Sequence, residues 1–327
     1  MSEVQSTVLV TGGSGFLGSQ VLRALQAKGQ SRQVLVASRG EPAVSGSMPP
    51  SVQHLRLDLA DEFVLPAGLH TIIHIAGEKR DETRMEAVNH HGTRRLVEAA
   101  VQAGVRRFVY VSSVGVYGAC PHAGLVTESF PHTARNLYEK SKDAGEACVR
   151  KLCSQFGMEF VVLQPSNVIG AVPGRSYPLL GLMTMVLNDR FAWFGAADPW
   201  VNYVAVEDMA AAVVIAADQA PSGHTFIINT PERLSHVIGW ISDELGVAAP
   251  QRRLPLWLGR VAAGVGNAVA RVLGRSMPIN RERLLELTNT TQYDGSALKR
   301  AVGFDYPLGV QEMIHGLVKT YRREGKL

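Results

Sequence analysis

The chain has 327 residues, 46% of them hydrophobic and 19% charged, which is enough for a large core with a smaller partner region. Its 33 basic and 29 acidic residues give a formal net charge of +4 without a long basic run, which argues against nucleic-acid binding. Cys120, Cys148 and Cys153 have neither metal-ligand spacing nor the even count of a disulfide framework. No secretory signal is predicted, so we expect reduced thiols in a cytoplasmic protein.

Short runs rich in Val and Ile alternate with helix-like stretches along the chain. The predicted strands are Thr7–Thr11, Gln33–Ser38, Gln53–Leu57, Thr71–Ala76, Arg107–Ser112, Glu159–Leu163 and His224–Asn229. Further predicted helices, beyond the one that follows the first strand, are Glu82–Ala103, Tyr138–Phe156 and Val206–Ala217. This alternation predicts an α/β fold, a Rossmann-type doubly wound parallel sheet with crossover helices.

The second half of the chain predicts a smaller substrate-binding region, mostly helical and interleaved with the first. We assign residues 1–169 to a dinucleotide-binding domain to which 200–230 return, and residues 170–199 and 231–327 to the substrate region. The most membrane-like stretch, Leu254–Leu273, is interrupted by Pro255 and Arg260, so no transmembrane segment is predicted. A helix packed on the substrate side is favoured there, with attachment to a membrane surface as the alternative.

A glycine-rich loop follows the first predicted strand. Gly12, Gly15 and Gly18 lie between that strand and the first helix, in the order strand, loop, helix. Glycine at these positions permits a tight turn, close approach of the backbone to a pyrophosphate, and close packing of helix on strand. The N–H groups at the helix N-terminus then face the phosphates. The loop predicts a dinucleotide-binding site.

Three residues on two later elements have the chemistry of proton transfer. Ser113 follows the strand at Arg107–Ser112, at the end of the sheet where ligands bind. Tyr138 and Lys142 are four residues apart and share one face of a predicted helix. A phenol titrates near pH ~10, but a nearby ammonium and a positively charged nicotinamide would favour the phenolate. These three residues are the predicted catalytic group.

These motifs together resemble the extended short-chain dehydrogenase/reductase family, in the branch that holds nucleotide-sugar epimerases, dehydratases and 3β-hydroxysteroid dehydrogenase-like enzymes. The resemblance covers nearly the whole chain. In chain order the matching segments are Thr11–Gly18, Asp58-Leu59, His74–Gly77, Asn89–Thr93, Ser113, Tyr138–Lys142 and Pro165–Gly170. Ser113 precedes Tyr138 by 25 residues, which is similar to the usual separation in the family.

The resemblance implies roles for individual residues. Ser113 would bind the reacting oxygen, Tyr138 would transfer the proton, and Lys142 would hold the nicotinamide ribose and lower the pKa of Tyr138. Asp58 would contact the adenine. Asn89 would help to order the site, with an ordinary helix asparagine as the alternative. The implied cofactor-binding residues are Gly12, Gly15, Phe16, Leu17, Gly18, Ser38, Arg39, Asp58, Leu59, Ala76, Gly77, Tyr138, Lys142 and Pro165.

The end of the second strand bears on the choice of cofactor. Family members that use NAD carry aspartate where this chain has Ser38, and the next residue is Arg39. Because a 2′-phosphate needs positive charge, we expect NADP(H). NAD(H) remains the alternative, with Arg39 at a surface loop or stacked on the adenine.

The residues directly after Ser113 argue against the elimination of water. The family's 4,6-dehydratases carry Asp and Glu directly after the catalytic hydroxyl, whereas this chain has Val114 and Gly115, which cannot transfer protons.

No metal site is predicted from the histidines at positions 90, 91, 122 and 132. The adjacent His90 and His91 should point to different helix faces, and no carboxylate is spaced to complete a site.

The sequence therefore predicts an NAD(P)-dependent oxidoreductase that interconverts a carbonyl and a secondary alcohol. The alternatives are a nucleotide-sugar epimerase with tightly bound NAD and a dinucleotide-sensing regulator, whose known members commonly lack the tyrosine. The substrate is a small molecule: a nucleotide sugar, a sterol or another hydroxy or keto compound. A homodimer is a further expectation. The apolar runs Phe191–Gly195 and Leu254–Leu258 favour a hydrophobic substrate, with packing in the core as an equal alternative. Arg175, Arg190 and Arg252 could clamp a nucleotide diphosphate, although single arginines in loops are usually solvated.

Overall fold

The computed structural model describes residues 7–28, 33–40, 52–118, 124–171, 177–195, 197–273, 284 and 287–327, with the backbone alone from 265 to 273. Its strands are β1 (Thr7–Thr11), β2 (Val34–Ser38), β3 (Val52–Arg56), β4 (Leu69–His74), β5 (Arg107–Val111), β6 (Leu125–Val126), β7 (Glu159–Pro165), β8 (Asn167–Ile169), β9 (Trp193–Phe194), β10 (Trp200–Ala205), β11 (His224–Ile228), β12 (Thr230–Arg233), β13 (Arg253–Leu254) and β14 (Gln292–Tyr293).

The α-helices are α1 (Phe16–Ala27), α2 (Glu82–Met85), α3 (Thr93–Gln102), α4 (Leu137–Phe156), α5 (Leu180–Leu187), α6 (Val206–Gln219), α7 (Leu234–Leu245), α8 (Leu256–Leu273), α9 (Ala297–Val302) and α10 (Gly309–Arg323). A π-helix at Glu86–Gly92 joins α2 to α3, and a 3₁₀ turn spans Val114–Tyr117.

Seven parallel strands form the main sheet in the order β11-β7-β5-β4-β1-β2-β3. Val8 and Val10 of β1 face a core shared with α1 and α6, whereas Leu9 faces the opposite core beneath α3 and α4. Burial on both faces explains why the strand is apolar throughout rather than alternating. This confirms the predicted doubly wound sheet.

The chain order reverses between β1 and β4 in this sheet. At such a switch point, the loops after the two strands diverge to opposite faces and leave a crevice at their carboxyl ends. The glycine loop after β1 and residues 75–77 after β4 border this crevice.

A second core lies beside the sheet. Three strands, in the order β12-β10-β8, pack with α5, α7 and α10 around buried residues such as Met183 and Ile314. The C-terminal tail contributes to both regions, because Leu298 and Phe304 pack into the core beneath α6. Among the described helices, none has the length and hydropathy needed to cross a bilayer.

The helix α4 has well-defined ends. Asn136 and Glu139 form a reciprocal capping box at its N-terminus, and Gly157 ends it with a left-handed φ of 69°. Because Tyr138 and Lys142 lie in the first two turns, the cap fixes the part of α4 that reaches the crevice.

Candidate active site

The glycine loop is held by contacts that leave no space for side chains. Gly12 has a φ of +70°, and a Cβ there would lie 2.8 Å from the backbone nitrogen of Ala76. A Cβ at Gly15 would lie 2.9 Å from the carbonyl oxygen of Gly12, and a Cβ at Gly18 would overlap that same oxygen. The loop therefore brings β1, the loop after β4 and the N-terminus of α1 close together.

One cavity of about 700 Å³ brings most of the predicted site residues together. We call it the catalytic cleft. The predicted residues that line it are Gly12, Gly15, Phe16, Leu17, Gly18, Ala76, Gly77, Ser113, Tyr138, Lys142 and Pro165. They come from the carboxyl ends of β1, β4, β5 and β7 and from the starts of α1 and α4, so separate parts of the sequence meet at one edge of the sheet.

Ser113 and Tyr138 form the polar centre of this cleft. Ser113 begins the 3₁₀ turn, and its Oγ accepts a hydrogen bond from Gly115 N at 3.1 Å. Burial raises the pKa of Tyr138, against a hydrogen bond with the Ser113 side chain that lowers it. Burial thus favours the protonated phenol, and the lowering expected from Lys142 together with a bound nicotinamide stays a prediction.

Lys142 is almost fully buried, with 3% of its surface exposed. Its Nζ donates to the carbonyl oxygen of Val111 at 2.7 Å and lies 4.3 Å from the centre of the Tyr110 ring. Burial lowers the pKa of Lys142 to about 7, although the carboxylate of Glu146 opposes this change. The side chain is thus fixed to the end of β5.

Asn89 connects the loop after β4 to α4. Its Oδ1 accepts from Glu78 N at 2.7 Å, and its Nδ2 donates to Glu78 O at 2.7 Å and to Ser141 Oγ at 3.0 Å. It lies in the π-helix, a rare conformation that often marks functional sites. The amide thus makes three hydrogen bonds that connect two sides of the cleft wall, and the ordering role expected for Asn89 stays a prediction.

Two hydroxyl groups in the cleft wall bear on whether a dinucleotide fits. Ser112 Oγ and Ser166 Oγ are buried, line the cleft and have no hydrogen-bond partner in the described part of the chain. Buried hydroxyls are normally paired. Together with the close-packed glycine loop, they fit a ligand with phosphate and amide groups, as a nicotinamide dinucleotide has.

Four predicted cofactor residues do not line the cleft. Ser38 and Arg39 lie at the end of β2, where Ser38 Oγ donates to Gly40 O at 2.7 Å and contacts His54 Nε2 at 2.7 Å. Leu59 has its side chain in the core, and its carbonyl oxygen accepts from Arg95 at 2.6 Å. These positions remain predictions for the adenosine half of a cofactor.

Asp58, the fourth of these residues, is engaged by a neighbouring cation. Its carboxylate accepts two hydrogen bonds from Arg84 Nη2, at 2.8 and 3.1 Å, and one from Ala60 N at 3.0 Å. Burial alone would raise its pKa, but these partners and the charge of Arg39 outweigh burial and lower it. The sequence motif did not reveal this ion pair.

Sequence reasoning missed several residues of the cleft. Trp200, Asn202 and Tyr203 of β10 and Asn289 line it. Asn202 is held in place, since its Nδ2 donates to Thr291 O at 2.9 Å. The alternation of polar and apolar residues in β10 was a signal for a strand, but nothing in the sequence indicated that β10 would reach the cleft.

The prediction that His90 and His91 point to different helix faces, with no carboxylate beside them, is wrong. The ligand atoms of Glu86, His90 and His91 lie within 4.8 Å of one another, and the two imidazole rings stack at 4.5 Å. The π-helix turns by less per residue than an α-helix, so adjacent histidines share a face and Glu86 joins them. His90 Nδ1 hydrogen bonds to Glu86 Oε1 at 2.6 Å, an arrangement that needs no ion.

Comparison with known proteins identifies the family. Residues 8–229 match the model of the NAD dependent epimerase/dehydratase family, and the chain belongs to this family. It is 25% identical to the UDP-glucose 4-epimerase of Vibrio cholerae over 95% of this chain and 94% of that protein. It is also 25% identical to the sterol demethylase protein B of Methylococcus capsulatus, over 98% of this chain and 100% of the relative.

A solved structure shows the same fold. The UDP-glucose 4-epimerase of Thermus thermophilus, determined in complex with NAD, matches with a TM-score of 0.69 and 23% identity, over 97% of this chain and 99% of that one. The predicted membership of the extended short-chain dehydrogenase/reductase family is confirmed. The protein is an enzyme of that type.

Proposed function

We propose that this enzyme interconverts a carbonyl and a secondary alcohol by hydride transfer with a nicotinamide dinucleotide. The observation that carries the proposal is that Ser113, Tyr138 and Lys142 meet in one cleft with the glycine loop. A bound nicotinamide would supply or accept the hydride. Tyr138 Oη donates a proton to the carbonyl oxygen in reduction and recovers it in oxidation, while the Ser113 hydroxyl holds that oxygen.

In this proposal Lys142 positions the cofactor and does not itself transfer the proton. Its Nζ lies at the end of β5, bound to Val111 O, where it would hold the nicotinamide ribose. A dinucleotide would occupy the cleft with its pyrophosphate at Gly12, Gly15 and Gly18 and its amide end near Ser112 and Ser166.

The lining of the cleft disfavours elimination of water. Among the described residues that line it, none is Asp or Glu. The carboxylate beside the catalytic tyrosine, Glu139, caps α4 by accepting from Arg135 N at 2.8 Å. A dehydratase needs an acid and a base near the reacting carbons, so the cleft favours redox chemistry alone.

Epimerisation of a nucleotide sugar is the second candidate. The relative from Vibrio cholerae is an epimerase, and the same three residues could oxidise and then reduce one substrate. An epimerase would hold NAD tightly and return it unchanged, whereas a reductase or dehydrogenase releases altered cofactor at each turnover.

For the cofactor we propose NADP(H) over NAD(H). Ser38 stands where an acidic side chain would bind the ribose hydroxyls, and the exposed Arg39 follows it. Arg39 also lies close enough to Asp58 and Glu78 to lower the pKa of both carboxyls, so its charge is partly balanced. Asp58 is in turn paired with Arg84. These two guanidiniums and two carboxylates balance in charge, so the preference for a 2′-phosphate depends on a direct charge-assisted hydrogen bond from Arg39.

A substrate screen tests the reaction class. Purified enzyme is mixed with NADPH or NADH and ketones, or with NADP⁺ or NAD⁺ and alcohols, and absorbance at the nicotinamide band is followed. Sugar nucleotides, hydroxysteroids and aliphatic ketones form the panel. Stoichiometric change in cofactor supports the proposal. Conversion of a nucleotide sugar to its epimer without net change in cofactor would favour the second candidate.

A further inference from the structure

A second cavity of about 480 Å³ adjoins the catalytic cleft. It lies between α5, β9, β10 and β13, and we call it the apolar chamber. Leu179, Val201 and Tyr203 line both cavities. The chamber and the cleft therefore meet at these three residues, and one molecule could extend from Tyr138 into the chamber.

The walls of the chamber are hydrocarbon. Leu182, Met185, Leu254 and Leu287 are half-buried there, packed against the core on one side and exposed to the chamber on the other. Beside them lies the buried ring of Phe194. Water against such walls is unfavourable, and an apolar group that displaces it stabilises the complex in proportion to the apolar surface that it buries.

The polar groups of the chamber are few. Its described lining holds no acid, amide or aliphatic hydroxyl side chain, only two tyrosines and two arginines besides apolar residues and glycine. A nucleobase or sugar has several donors and acceptors that need partners when they leave water. The chamber offers few such partners, so its interior suits a hydrocarbon better than a nucleoside.

The two arginines lie at the rim. Arg190 and Arg252 are exposed, and within the described part of the chain neither guanidinium has an acidic partner. Their charged ends stay in contact with water. A pyrophosphate could bind them, but it would leave the hydrocarbon interior unfilled.

The junction of the two cavities contains a strained residue. Leu179 has a φ of 61°, in the left-handed region that favours glycine, at the start of α5. Strain of this kind is retained where the surroundings impose it and is frequent at ligand sites. Here it places a leucine side chain against both cavities.

The geometry points to a substrate whose hydroxyl or keto group is attached to a large apolar body, rather than to a nucleotide sugar. The oxygen lies at Tyr138 and Ser113, and the apolar body fills the chamber. This assignment rests on the proposed carbonyl chemistry. Measurements of ketone binding test it separately from measurements of turnover.

A chain-length series provides the test. Dissociation constants of 2-hexanone, 2-octanone and 2-decanone are measured by calorimetry on the Tyr138→Phe enzyme saturated with dinucleotide. We expect the dissociation constant to fall about fourfold for each added methylene. Met185→Glu, which places a charge in the chamber, should abolish this dependence. Leu187→Glu, on the exposed side of the same helix, should keep it.

Two outcomes would overturn the chamber assignment, and a third would contradict only the proposed reaction. A dissociation constant that does not change with chain length in the parent protein would overturn the chamber assignment, even where Met185→Glu fails to fold. Tight binding of UDP-glucose that is lost in the Arg190→Ala, Arg252→Ala double variant would overturn it in favour of a nucleotide diphosphate. Chain-length-dependent binding without oxidation or reduction of any ketone or alcohol by the wild type would support the chamber and contradict the proposed reaction.

Discussion

Asn89 Nδ2 donates a hydrogen bond to Ser141 Oγ at 3.0 Å and so connects the π-helix to α4. Ser141 Oγ in turn donates to the carbonyl oxygen of Tyr138 at 2.9 Å. The loop at Glu78, Asn89 and the backbone of Tyr138 are thus joined in one connected set of hydrogen bonds. We infer that Asn89 positions Tyr138 without touching the substrate.

The variant Asn89→Asp tests this role. An aspartate replaces a donor with an acceptor and sets it against Glu78 O, so we expect the free energy of unfolding to fall by about 1–3 kcal/mol. We also expect kcat to fall more than KM rises. Ser141→Ala, which removes one contact only, should show a smaller loss of both. A kcat within about twofold of wild type in folded Asn89→Asp would contradict the positioning role.

The variant Gly12→Ala tests the packing of the glycine loop. Its Cβ would meet Ala76 N at 2.8 Å in addition to the left-handed backbone strain. Gly104→Ala is the matched control, because Gly104 has a φ of +68° with nothing within 4 Å of a Cβ. We expect the control to lose about 1–2 kcal/mol of stability, with Gly12→Ala losing more and binding dinucleotide weakly. Equal losses with intact cofactor affinity would count against the loop assignment.

His74 gives a prediction for the dependence of stability on pH. It is fully buried between Thr11 Oγ1, at 2.7 Å from Nδ1, and Thr93 Oγ1, at 2.9 Å from Nε2. Thr93 donates to Asn89 O, so its oxygen accepts from Nε2 and the neutral ring fits. Burial, assisted by the charge of Lys142, lowers the pKa of His74 from 6.5 to about 3.

Because the folded protein binds this proton less readily than the unfolded chain, its contribution to stability is complete above pH 6.5 and is lost as pH falls toward 3. Urea unfolding of wild type and His74→Asn at several pH values measures this. We expect His74→Asn to be less stable at pH ~8 but to lose less stability on acidification. Parallel losses in the two proteins would show that His74 is not the titrating group.

Cofactor choice gives the fourth prediction. Wild type should show higher kcat/KM with NADPH than with NADH, and Arg39→Ala should reduce that ratio about tenfold, the loss of one charge-assisted contact. Arg94→Ala, whose guanidinium pairs with Glu98 on the helix surface, should leave it unchanged. A wild type that prefers NADH would refute the NADP(H) proposal and would favour an NAD-dependent dehydrogenase or an epimerase.

Much of the sheet could be predicted from the sequence, because runs such as Thr7–Thr11 are short, β-branched and bounded by glycine. The predicted helix Glu82–Ala103 proved to contain a π-helix at Glu86–Gly92. The apolar pattern of a helix does not reveal a local change from α-helix to π-helix. The prediction that His90 and His91 lie on different faces was therefore wrong.

The candidate site likewise contains residues that local sequence motifs predict and residues that they do not. Local motifs placed Gly12, Ser113 and Tyr138 correctly at strand and helix ends, since each follows from its immediate neighbours. The contribution of Trp200 and Asn289 depends on how β10 and the tail pack across more than a hundred residues of chain, which local patterns do not record. The raised pKa of Tyr138 depends on burial, which also follows only from the assembled fold.

Turnover by Tyr138→Phe tests the central claim most directly. The substitution removes only the phenolic oxygen from the cleft, so fold and dinucleotide affinity should match wild type. With the best ketone or alcohol of the substrate panel, we expect kcat to fall by about 100-fold or more, the usual contribution of a general acid. Turnover within a few-fold of wild type, in a variant that binds dinucleotide normally, would contradict the assignment of Tyr138 as the proton donor.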